Sequence, residues 1–349
     1  MAKKREETKL NYRAEVQKLH AEGPRTLYFL HGKEDYLREQ FLIELKRLCI
    51  PEGEGGFNYK RFDGPGLSSS ELRGAVEALP FLSEHTFVEL RDIDVNKLEE
   101  SAEILSILAD IPTHCTVCFV QSGSYEPDGR IKAVKSIRET GYEMVFSAQS
   151  QDALISWIAR RFASQNKKIG LEEAKHLIFV SGDLMNRLIP EIEKVAAYAT
   201  KETVTIRDIE AVAHHIPEAQ VFVMTDELSK KHFDAAMTVL SELLAGSEHD
   251  PVYLLSVLAT QMRRLFCAKL AVINGLGSRF VSECCSISYD FIVARLMASA
   301  SSFSLDELKR ALRICADTDL KMKSGGGDGT ELLLEAVLSI ASGVRNAAR

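Results

Sequence analysis

The sequence predicts a multidomain protein that begins with an α/β domain on a mostly parallel sheet and continues as an all-α chain. Two observations support this fold class. Strand-like apolar runs alternate with helix-like segments up to about residue 147, and from Gln149 to Arg349 only helical periodicity remains. We expect three domains, at residues 1–147, 148–215 and 216–349.

Five strand-like runs make up the predicted sheet. They are "TLYFL" (26–30), "FNYKRF" (57–62), "HTFVEL" (85–90), "TVCFV" (116–120) and "EMVF" (143–146). Helix-like segments separate them, and alternation of this kind places helices on the faces of a parallel sheet.

The junction after the first run, "FLHGKEDYLREQ" (29–40), is a position at which nucleotide-binding proteins hold phosphate. A phosphate loop has the form G-x-x-x-x-G-K-[ST], which supplies backbone N–H groups, a lysine and a hydroxyl for magnesium. Here Gly32 stands alone, Lys33 follows it too early, and no hydroxyl occupies the Ser/Thr place. Glu34 and Asp35 suit the first turn of a helix and would repel phosphate. The sequence therefore predicts a degenerate P-loop that is filled by capping chemistry.

The third strand-like run leads into "RDID" (91–94). Asp92 or Asp94 is conceivable as a magnesium ligand, but Glu89 and Arg91 interrupt the buried strand that should precede an acidic pair. We interpret these charges as solvated.

The segment "SSSELRGAVEALPFLSEHTFVEL" (68–90) is the most informative of the chain. A capping-box pattern begins at Ser68, and apolar residues then recur at i, i+3, i+4 and i+7. The buried helix face predicted from this spacing consists of Leu72, Ala75, Val76 and Leu79. Pro80 ends the helix, so Phe81 and Leu82 fall in the connection beyond it.

Two interpretations of Phe81 and Leu82 are open. The side chains either fold back under the sheet, as apolar residues near turns commonly do, or form an exposed hydrophobic plug. Fully burying a Phe or Leu contributes about 1.5 to 3 kcal/mol, so an exposed pair has the energy of an interface hot spot.

The C-terminal half contains repeated segments with helical periodicity. Examples are Leu154, Trp157, Ile158, Arg161 and Phe162; Leu184, Leu188, Ile192, Val195 and Ala196; and Leu254, Leu255, Leu258, Met262, Leu265 and Phe266. Residues 203–220 predict a short capped helix and a connection that contains Pro217, which we take as the second domain boundary. The glycines of "KSGGGDG" (323–329) follow a helix, which indicates an interhelical turn.

Composition limits the functional classes. The chain has 349 residues, of which 46% are hydrophobic and 27% charged, as in ordinary globular proteins. Its formal charge of -7 argues against a free-standing nucleic-acid binder. No apolar stretch has the length of about 20 residues that a membrane span needs, and the N-terminal residues lack the apolar core of a signal peptide. We expect a cytoplasmic protein without a membrane partner.

The seven cysteines are scattered, which is typical of reduced thiols. Cys115 and Cys118 have the spacing of a zinc knuckle or redox pair, but no second pair follows, and both lie in a strand-like run. We expect them to act as small apolar residues, and we predict no metal, no cofactor and no catalytic residue.

Five segments together resemble the delta subunit of the bacterial DNA polymerase III clamp loader. They are "FLHGKEDYLREQ", "FNYKRFDG" (57–64), "EALPFLSEHTFVEL" (77–90), "GDLMNRLIPEIEKVAAYA" (182–199) and "LKMKSGGG" (320–327). The segments occur in order and span nearly the whole chain.

The resemblance implies an AAA+-like N-terminal domain with a degenerate P-loop (1–147), a small helical lid (148–215) and a helical collar (216–349). It also implies a subunit that does not hydrolyse ATP and binds and opens the sliding clamp, within a family that is part of the DNA polymerase III holoenzyme. The family inserts two adjacent hydrophobic residues into a pocket on the clamp, at positions that match Phe81 and Leu82. The predicted clamp-binding residues are Leu79, Pro80, Phe81 and Leu82.

The implied partners are the sliding clamp (the beta subunit) and the other loader subunits, gamma/tau and delta prime. Primed DNA is expected only in the assembled complex. The charged extension before Leu27 is interpreted as a solvated arm or an extra helix.

Two other functions are open. A divergent NTPase would use Gly32 and Lys33, and a DNA-binding module would use Arg263, Arg264 and Lys269. Covalent catalysis is less attractive, because neither His214-His215 nor the serines near 122–124 have a partner at readable spacing.

Overall fold

A computed structural model describes residues 10–50, 55–64, 66–100, 102–123, 125–246 and 249–346. The chain divides into two compact units, Met1–Gln149 with Leu184–Asn186 and Ser150–Asp183 with Arg187–Arg349. The further division of the helical part into domains at 148–215 and 216–349 stays a prediction.

The first unit contains a five-stranded parallel sheet, as predicted. Its strands are β1 (Leu27–His31), β2 (Tyr59–Asp63), β3 (Thr86–Arg91), β4 (Cys115–Val120) and β5 (Tyr142–Val145). They lie in the order β2-β3-β4-β1-β5. β1, β3 and β4 are almost entirely buried because helices cover both faces of such a sheet, whereas the edge strand β2 is largely exposed.

Among the described residues of this unit, six α-helices accompany the sheet: α1 (Tyr12–Glu22), α2 (Asp35–Cys49), α3 (Gly55–Asn58), α4 (Ser69–Val76), α5 (Ala102–Ala109) and α6 (Lys132–Thr140), with a 3-10 helix at Val95–Glu100. On one sheet face, a cluster that includes Phe29, Phe119 and Leu72 joins the strands to α4, α5 and α6. On the other, Phe41 of α2 lies 6.1 Å from Tyr28 between ring centroids.

The charged N-terminal extension forms an extra helix from Tyr12, which is the second of the two predicted alternatives; residues 1–9 lie outside the described part of the chain. Leu19 is its buried residue. The Tyr142 hydroxyl of β5 donates a hydrogen bond to Glu15 at 2.6 Å, and the Arg25 guanidinium lies 4.4 Å from the centre of the Tyr142 ring.

The second unit is helical. Its helices are α7 (Gln151–Ala163), α8 (Leu171–Ser181), α9 (Met185–Tyr198, whose first two residues belong to the first unit), α10 (Ile206–Val212), α11 (Pro217–Ser229), α12 (Phe233–Gly246), α13 (Pro251–Ile273), α14 (Ser278–Cys285), α15 (Asp290–Ser301), α16 (Leu305–Lys323) and α17 (Gly329–Asn346). The predicted fold class, a parallel-sheet α/β domain followed by an all-α region, is confirmed. The described helices contain none long and apolar enough to cross a membrane.

α13 is the central helix of this unit. It packs against α11, α14, α15, α16 and α17, and its predicted apolar residues from Leu254 to Leu265 are buried. The predicted short capped helix is α10, where Thr205 and Asp208 form a capping box. Pro217 is not in a connection as expected but at the first position of α11, where its missing N–H leaves no intrahelical bond unmade.

The glycine-rich segment after α16 is the interhelical turn predicted from the sequence. α16 ends at Lys323 and α17 begins at Gly329. Gly325 and Gly327 have φ values of 74° and 145°, which explains the concentration of glycine in this connection.

Candidate functional site

The predicted plug lies in the connection between α4 and β3, and this connection begins where α4 ends. The Ser68 hydroxyl accepts a hydrogen bond from the Glu71 N–H at 3.5 Å at the start of the helix. The helix ends at Val76. A proline ring clashes with the carbonyl four residues earlier, and four residues before Pro80 is Val76, the last helical residue.

The connection exposes large apolar side chains. Leu79 is 81% exposed, Phe81 56% and Leu82 79%, and Pro80 is partly exposed. We call residues 79–82 the apolar tip. Burial of Phe81 and Leu82 under the sheet, the first of the two interpretations, therefore does not describe the structure.

Leu79 is exposed, contrary to the prediction from its spacing. The spacing predicted that it shares a buried helix face with Leu72, Ala75 and Val76, and those three residues are buried. Because α4 stops at Val76, the helical periodicity does not extend to residue 79, and the Leu79 side chain lies in solvent. The predicted helix was about one turn longer than α4, so Leu79, seven residues after Leu72, was wrongly placed on its buried face.

Asn58 holds the apolar tip in place. Its side chain is 2% exposed, and its amide forms two hydrogen bonds with one residue of the tip. The Asn58 Nδ2 donates to the Phe81 carbonyl oxygen at 2.7 Å, and the Phe81 N–H donates to the Asn58 Oδ1 at 2.7 Å. The tip is therefore fixed by a buried side chain from a segment 23 residues away.

Phe57, the neighbour of Asn58, is also exposed and lies beside the tip. Its side chain is 78% exposed, and its ring centroid is 5.2 Å from that of Phe81. Phe57 and Asn58 belong to the second strand-like run of the sequence, but in the structure they end α3. The asparagine inside the strand-like run was the available signal, because Asn is depleted in strands.

Leu82 has an unusual backbone conformation. Its φ is 53°, in the left-handed region that a non-glycine residue adopts at a cost of roughly 1 to 2 kcal/mol. Backbone of this kind persists only where the surrounding structure determines it, and it is concentrated at functional sites. An exposed leucine therefore occupies a backbone conformation that glycine or asparagine would adopt with less strain.

The turn after β1, where phosphate would bind in a nucleotide-binding protein, is occupied by protein groups. Arg38 is 4% exposed; its Nη1 donates to the Gly32 carbonyl oxygen at 3.0 Å and lies 2.8 Å from the Asp35 Oδ1. Lys33 is exposed to solvent. The guanidinium is thus already neutralised by a carboxylate within the turn.

Glu34 fills the same turn with a buried carboxylate, which its place in the sequence does not predict. It occupies the N-cap position of α2, but its side chain forms no capping hydrogen bond. The carboxylate is fully buried and accepts a hydrogen bond from the N–H of Met185, in residues 184–186 of the same unit, at 3.4 Å. The prediction of capping is therefore wrong for Glu34, and carboxylates together with Arg38 fill the degenerate P-loop.

The charges at the end of β3 were predicted to be solvated, and for Glu89 and Arg91 this is wrong. Glu89 is fully buried and forms an ion pair with Lys46. It also accepts hydrogen bonds from the Tyr59 hydroxyl and the Arg91 Nε, both at 2.8 Å. Arg91 in turn donates to both carboxylate oxygens of Glu39, at 2.8 and 3.0 Å. The error arose because these partners come from α2 and β2, far from β3 in sequence.

This network determines the protonation of Glu89. Burial alone would raise the pKa of its carboxyl group, but the hydrogen bonds from Lys46, Arg91 and Tyr59 outweigh burial, so the pKa of Glu89 is lowered. The hydrogen bonds to Glu39, opposed by burial, raise the pKa of Arg91. Both groups are charged in the folded protein.

Asp92 and Asp94 have structural partners in place of a metal. The Asp92 Oδ1 accepts from the N–H and the hydroxyl of Ser122, at 2.8 and 2.6 Å. The Asp94 Oδ1 accepts from the Asn96 N–H at 3.1 Å. Of the residues near 122–124, Ser124 lies outside the described part of the chain.

The Cys115 and Cys118 side chains are buried in β4. Residues three apart on a strand point to opposite faces of the sheet, so this pair cannot bind one ion together. Burial raises the pKa of both thiols. Within the described ranges, no group of three His, Cys, Asp or Glu side chains has the arrangement of a metal site.

The three cations proposed for DNA binding do not share a surface. Arg263 is exposed, with its Nη2 2.8 Å from the Thr260 hydroxyl. Arg264 instead lines a cavity, and the Lys269 Nζ donates to the carbonyl of Ser301 at 2.9 Å. Because successive residues of a helix are about 100° apart, positions 263, 264 and 269 lie on different sides of α13, and the three cations do not form one basic face.

Taken together, the five-stranded parallel sheet, the turn that protein side chains fill and the helical second unit define an α/β-plus-α protein whose phosphate-loop position is occupied by its own side chains. Residues 218–340 match the family model for the DNA polymerase III delta subunit, C-terminal domain.

Two relatives and a solved structure point the same way. The chain is 24% identical over 324 residues to DNA polymerase III subunit delta of Bacillus subtilis (89% of this chain, 91% of the relative). It is 21% identical over 323 residues to the probable DNA polymerase III subunit delta of Aquifex aeolicus (90% of each). The structure of the Bacillus subtilis DNA clamp loader delta protein is similar with a TM-score of 0.56 and 21% identity, over 94% of this chain and 99% of that one. The resemblance to the DNA polymerase III delta-subunit family is confirmed.

Proposed function

We propose that this protein is a clamp-loader subunit that does not hydrolyse ATP, binds the replicative sliding clamp through residues 79–82 and favours a clamp conformation that can open. The single observation that carries the proposal is the apolar tip, because its exposed Phe81 is held by two hydrogen bonds from the buried Asn58 side chain. The resemblance to delta subunits, whose paired hydrophobic residues match Phe81 and Leu82, supports the assignment of the partner.

The energetics of the tip suit a hot spot. Phe81 and Leu82 retain most of their apolar surface for a partner, and full burial contributes about 1.5 to 3 kcal/mol for each. Hot spots are anchors of this kind at the centre of an interface. Because the tip is already ordered, binding would not have to fix a flexible loop, which otherwise weakens association.

Clamp opening requires more than contact. A protein shifts a conformational equilibrium only by the difference between its affinities for the two states. The tip would therefore bind more tightly to a clamp with a loosened ring interface than to the closed ring. ATP bound to partner subunits would control access to the tip through rearrangement of the assembly.

ATP hydrolysis is not part of the proposed role of this chain. Arg38, Asp35 and Glu34 fill the turn that would hold the phosphates. The helical region that includes residues 218–340 would assemble with gamma/tau and delta prime in the cytoplasm, and primed DNA would be contacted only by the complete loader. Polymerase activity would reside elsewhere in the holoenzyme.

The test is binding of the purified chain to the sliding clamp of its own organism, without nucleotide, by calorimetry. The Phe81→Ala/Leu82→Ala variant is expected to lose at least about 2 kcal/mol of binding free energy. Leu171→Ala is a matched control, since Leu171 has the same exposed fraction as Phe81, 56%, but lies in the other unit. Equal binding by wild type and double variant would remove the tip from the interface, and no binding by any form would overturn the proposal.

A further inference from the structure

We infer that Phe57 is a further contact residue of the clamp interface and that Asn58 is a positioning residue that sets the conformation of Phe81 before the clamp binds. The inference rests on the proposed function. It extends the interface from the connection between α4 and β3 to the end of α3, a second segment of the chain.

The Asn58 side chain pairs with the main chain of Phe81 as a neighbouring strand would. It donates to the carbonyl oxygen and accepts from the N–H of the same residue, both at 2.7 Å, which is how two directly opposite residues pair in an antiparallel ladder. An amide side chain has a donor and an acceptor at the required separation, and a carboxylate or an aliphatic side chain does not. Residue 58 therefore fixes the backbone from which the Phe81 ring projects.

This fixation bears on affinity because ordering the backbone of a residue on binding costs conformational entropy. In this chain the tip is ordered on folding, so association with the clamp does not incur that cost. The buried position of Asn58, 2% exposed, excludes a direct contact of its side chain with a partner. Its contribution to binding would act through Phe81.

Phe57 widens the apolar surface at the same place. A single exposed apolar side chain needs no functional explanation, but Phe57 has two further properties. Its ring lies 5.2 Å from the Phe81 ring, and the adjacent residue is the one that fixes Phe81. Any apolar pocket that encloses the Phe81 ring also meets Phe57, which is 78% exposed. The partner surface should accordingly hold two neighbouring aromatic rings.

The inference is tested with the same clamp-binding assay. Phe57→Ala is expected to weaken binding at least fivefold without changing the thermal unfolding of the chain, because its side chain is largely solvated. Leu171→Ala again serves as the control. If wild type binds and Phe81→Ala/Leu82→Ala does not, but Phe57→Ala binds like wild type, the role of Phe57 is overturned while the proposed function stands. If wild type does not bind, both fail.

Asn58 is tested by its coupling to Phe81. Asn58→Ala is expected to weaken clamp binding at least tenfold in the wild-type background, but by less than threefold in a Phe81→Ala background. In the free protein, hydrogen exchange at the Phe81 amide should accelerate at least tenfold. Equal losses in the two backgrounds would indicate a general structural effect and overturn the positioning role. Asn58→Asp, which retains the acceptor and lacks the donor, should give an intermediate exchange rate.

Discussion

The Arg38 guanidinium donates a hydrogen bond to the Gly32 carbonyl oxygen at 3.0 Å, across the turn in which a nucleotide-binding protein holds phosphate. The same guanidinium lies 2.8 Å from the Asp35 carboxylate. A phosphate loop needs free backbone N–H groups and a free cation inside the turn, and the buried cation of this turn, Arg38, is already bonded to Gly32 and Asp35. The turn keeps the position of a phosphate loop after β1, but its charged groups bind one another.

We therefore expect Arg38→Ala to destabilise the protein without creating a nucleotide site. Removal of a buried guanidinium leaves Asp35 and the Gly32 carbonyl without this partner, and the loss should be about 2 to 3 kcal/mol in the free energy of unfolding. Urea denaturation measures it. Arg47→Ala on the same helix is the matched control, because Arg47 forms an exposed pair with Glu44 at 3.1 Å and should change stability by less than about 0.5 kcal/mol. Saturable binding of Mg-ATP by wild type would contradict this account of the turn.

Gly32 itself is a second test of the turn. Its φ is 117°, and a Cβ at this residue would lie 2.5 Å from the Phe146 carbonyl oxygen. That carbonyl accepts from the Glu34 N–H at 2.9 Å and cannot easily move. Gly32→Ala should cost about 3 kcal/mol or more, from strain and overlap together. Gly64→Ala, at a φ of 72° with open space around it, should cost only about 1 to 2 kcal/mol. Similar losses for the two variants would show that the overlap with Phe146 is relieved.

The sequence was sufficient to predict the parallel sheet and the helical region, because strands and helices are recognised from local residue patterns. β1, β3 and β4 are mostly apolar, and their burial on both faces of the sheet is expected from that pattern, whereas the burial of Glu89 within β3 is not. The end of α4 was less predictable, since the helical spacing through Leu79 remains apolar after the helix has stopped.

The side-chain pairs that shape the site could not be predicted, because their members are distant in sequence. Asn58 and Phe81 are separated by 23 positions, and neither residue type implies the other. The same holds for Glu89. Its three partners lie on α2, on β2 and on its own strand, and together they compensate a charge that would otherwise not be buried. The sequence of a segment shows where a charged residue is, but whether that residue is solvated depends on the residues that surround it in the fold.

Glu89 gives the protein a defined acid sensitivity. Folding lowers the pKa of Glu89 below its usual value of 4.5, so the carboxylate binds a proton more readily in the unfolded chain. Its contribution to stability is complete above pH 4.5 and is lost as the pH falls through the lower folded pKa. Glu89→Gln should cost about 2 to 3 kcal/mol at neutral pH, because Lys46 and Arg91 lose their buried counter-charge.

The measurement is chemical denaturation of wild type and Glu89→Gln between pH 3 and pH 7. The two free energies of unfolding should converge below pH 4.5, where wild type loses its advantage. Glu77→Gln is the control, since Glu77 pairs with Arg73 on the surface and should shift stability by less than about 0.5 kcal/mol. A difference between wild type and Glu89→Gln that stays constant across this range would show that ionisation of Glu89 is not responsible.

The reactivity of the thiols should show whether the cysteines are structural or form a redox or metal-binding pair. Burial raises the pKa of Cys49 to about 11 despite its hydrogen bond to Thr116, and Cys115 and Cys118 are also buried, with raised pKa values. A thiol reagent at pH 8 should label Cys284, the exposed cysteine, first. Cys49, Cys115 and Cys118 should react only when the protein is unfolded. Rapid native-state modification of Cys118, read by peptide mass spectrometry, would contradict their role as buried apolar residues.

Leu82 allows the binding function of the apolar tip to be separated from its stability. Its φ of 53° is a conformation that asparagine adopts more readily than leucine. Because the Leu82 side chain is 79% exposed, Leu82→Asn should leave the free energy of unfolding unchanged or raise it by a few tenths of a kcal/mol. The same variant should lose about 1.5 to 3 kcal/mol of clamp binding, since a polar side chain replaces the apolar anchor. Leu82→Ala should lose a similar amount of binding but gain no stability, because alanine is also strained at this φ. If Leu82→Asn bound the clamp as wild type does, the backbone conformation rather than the leucine side chain would be what the partner recognises.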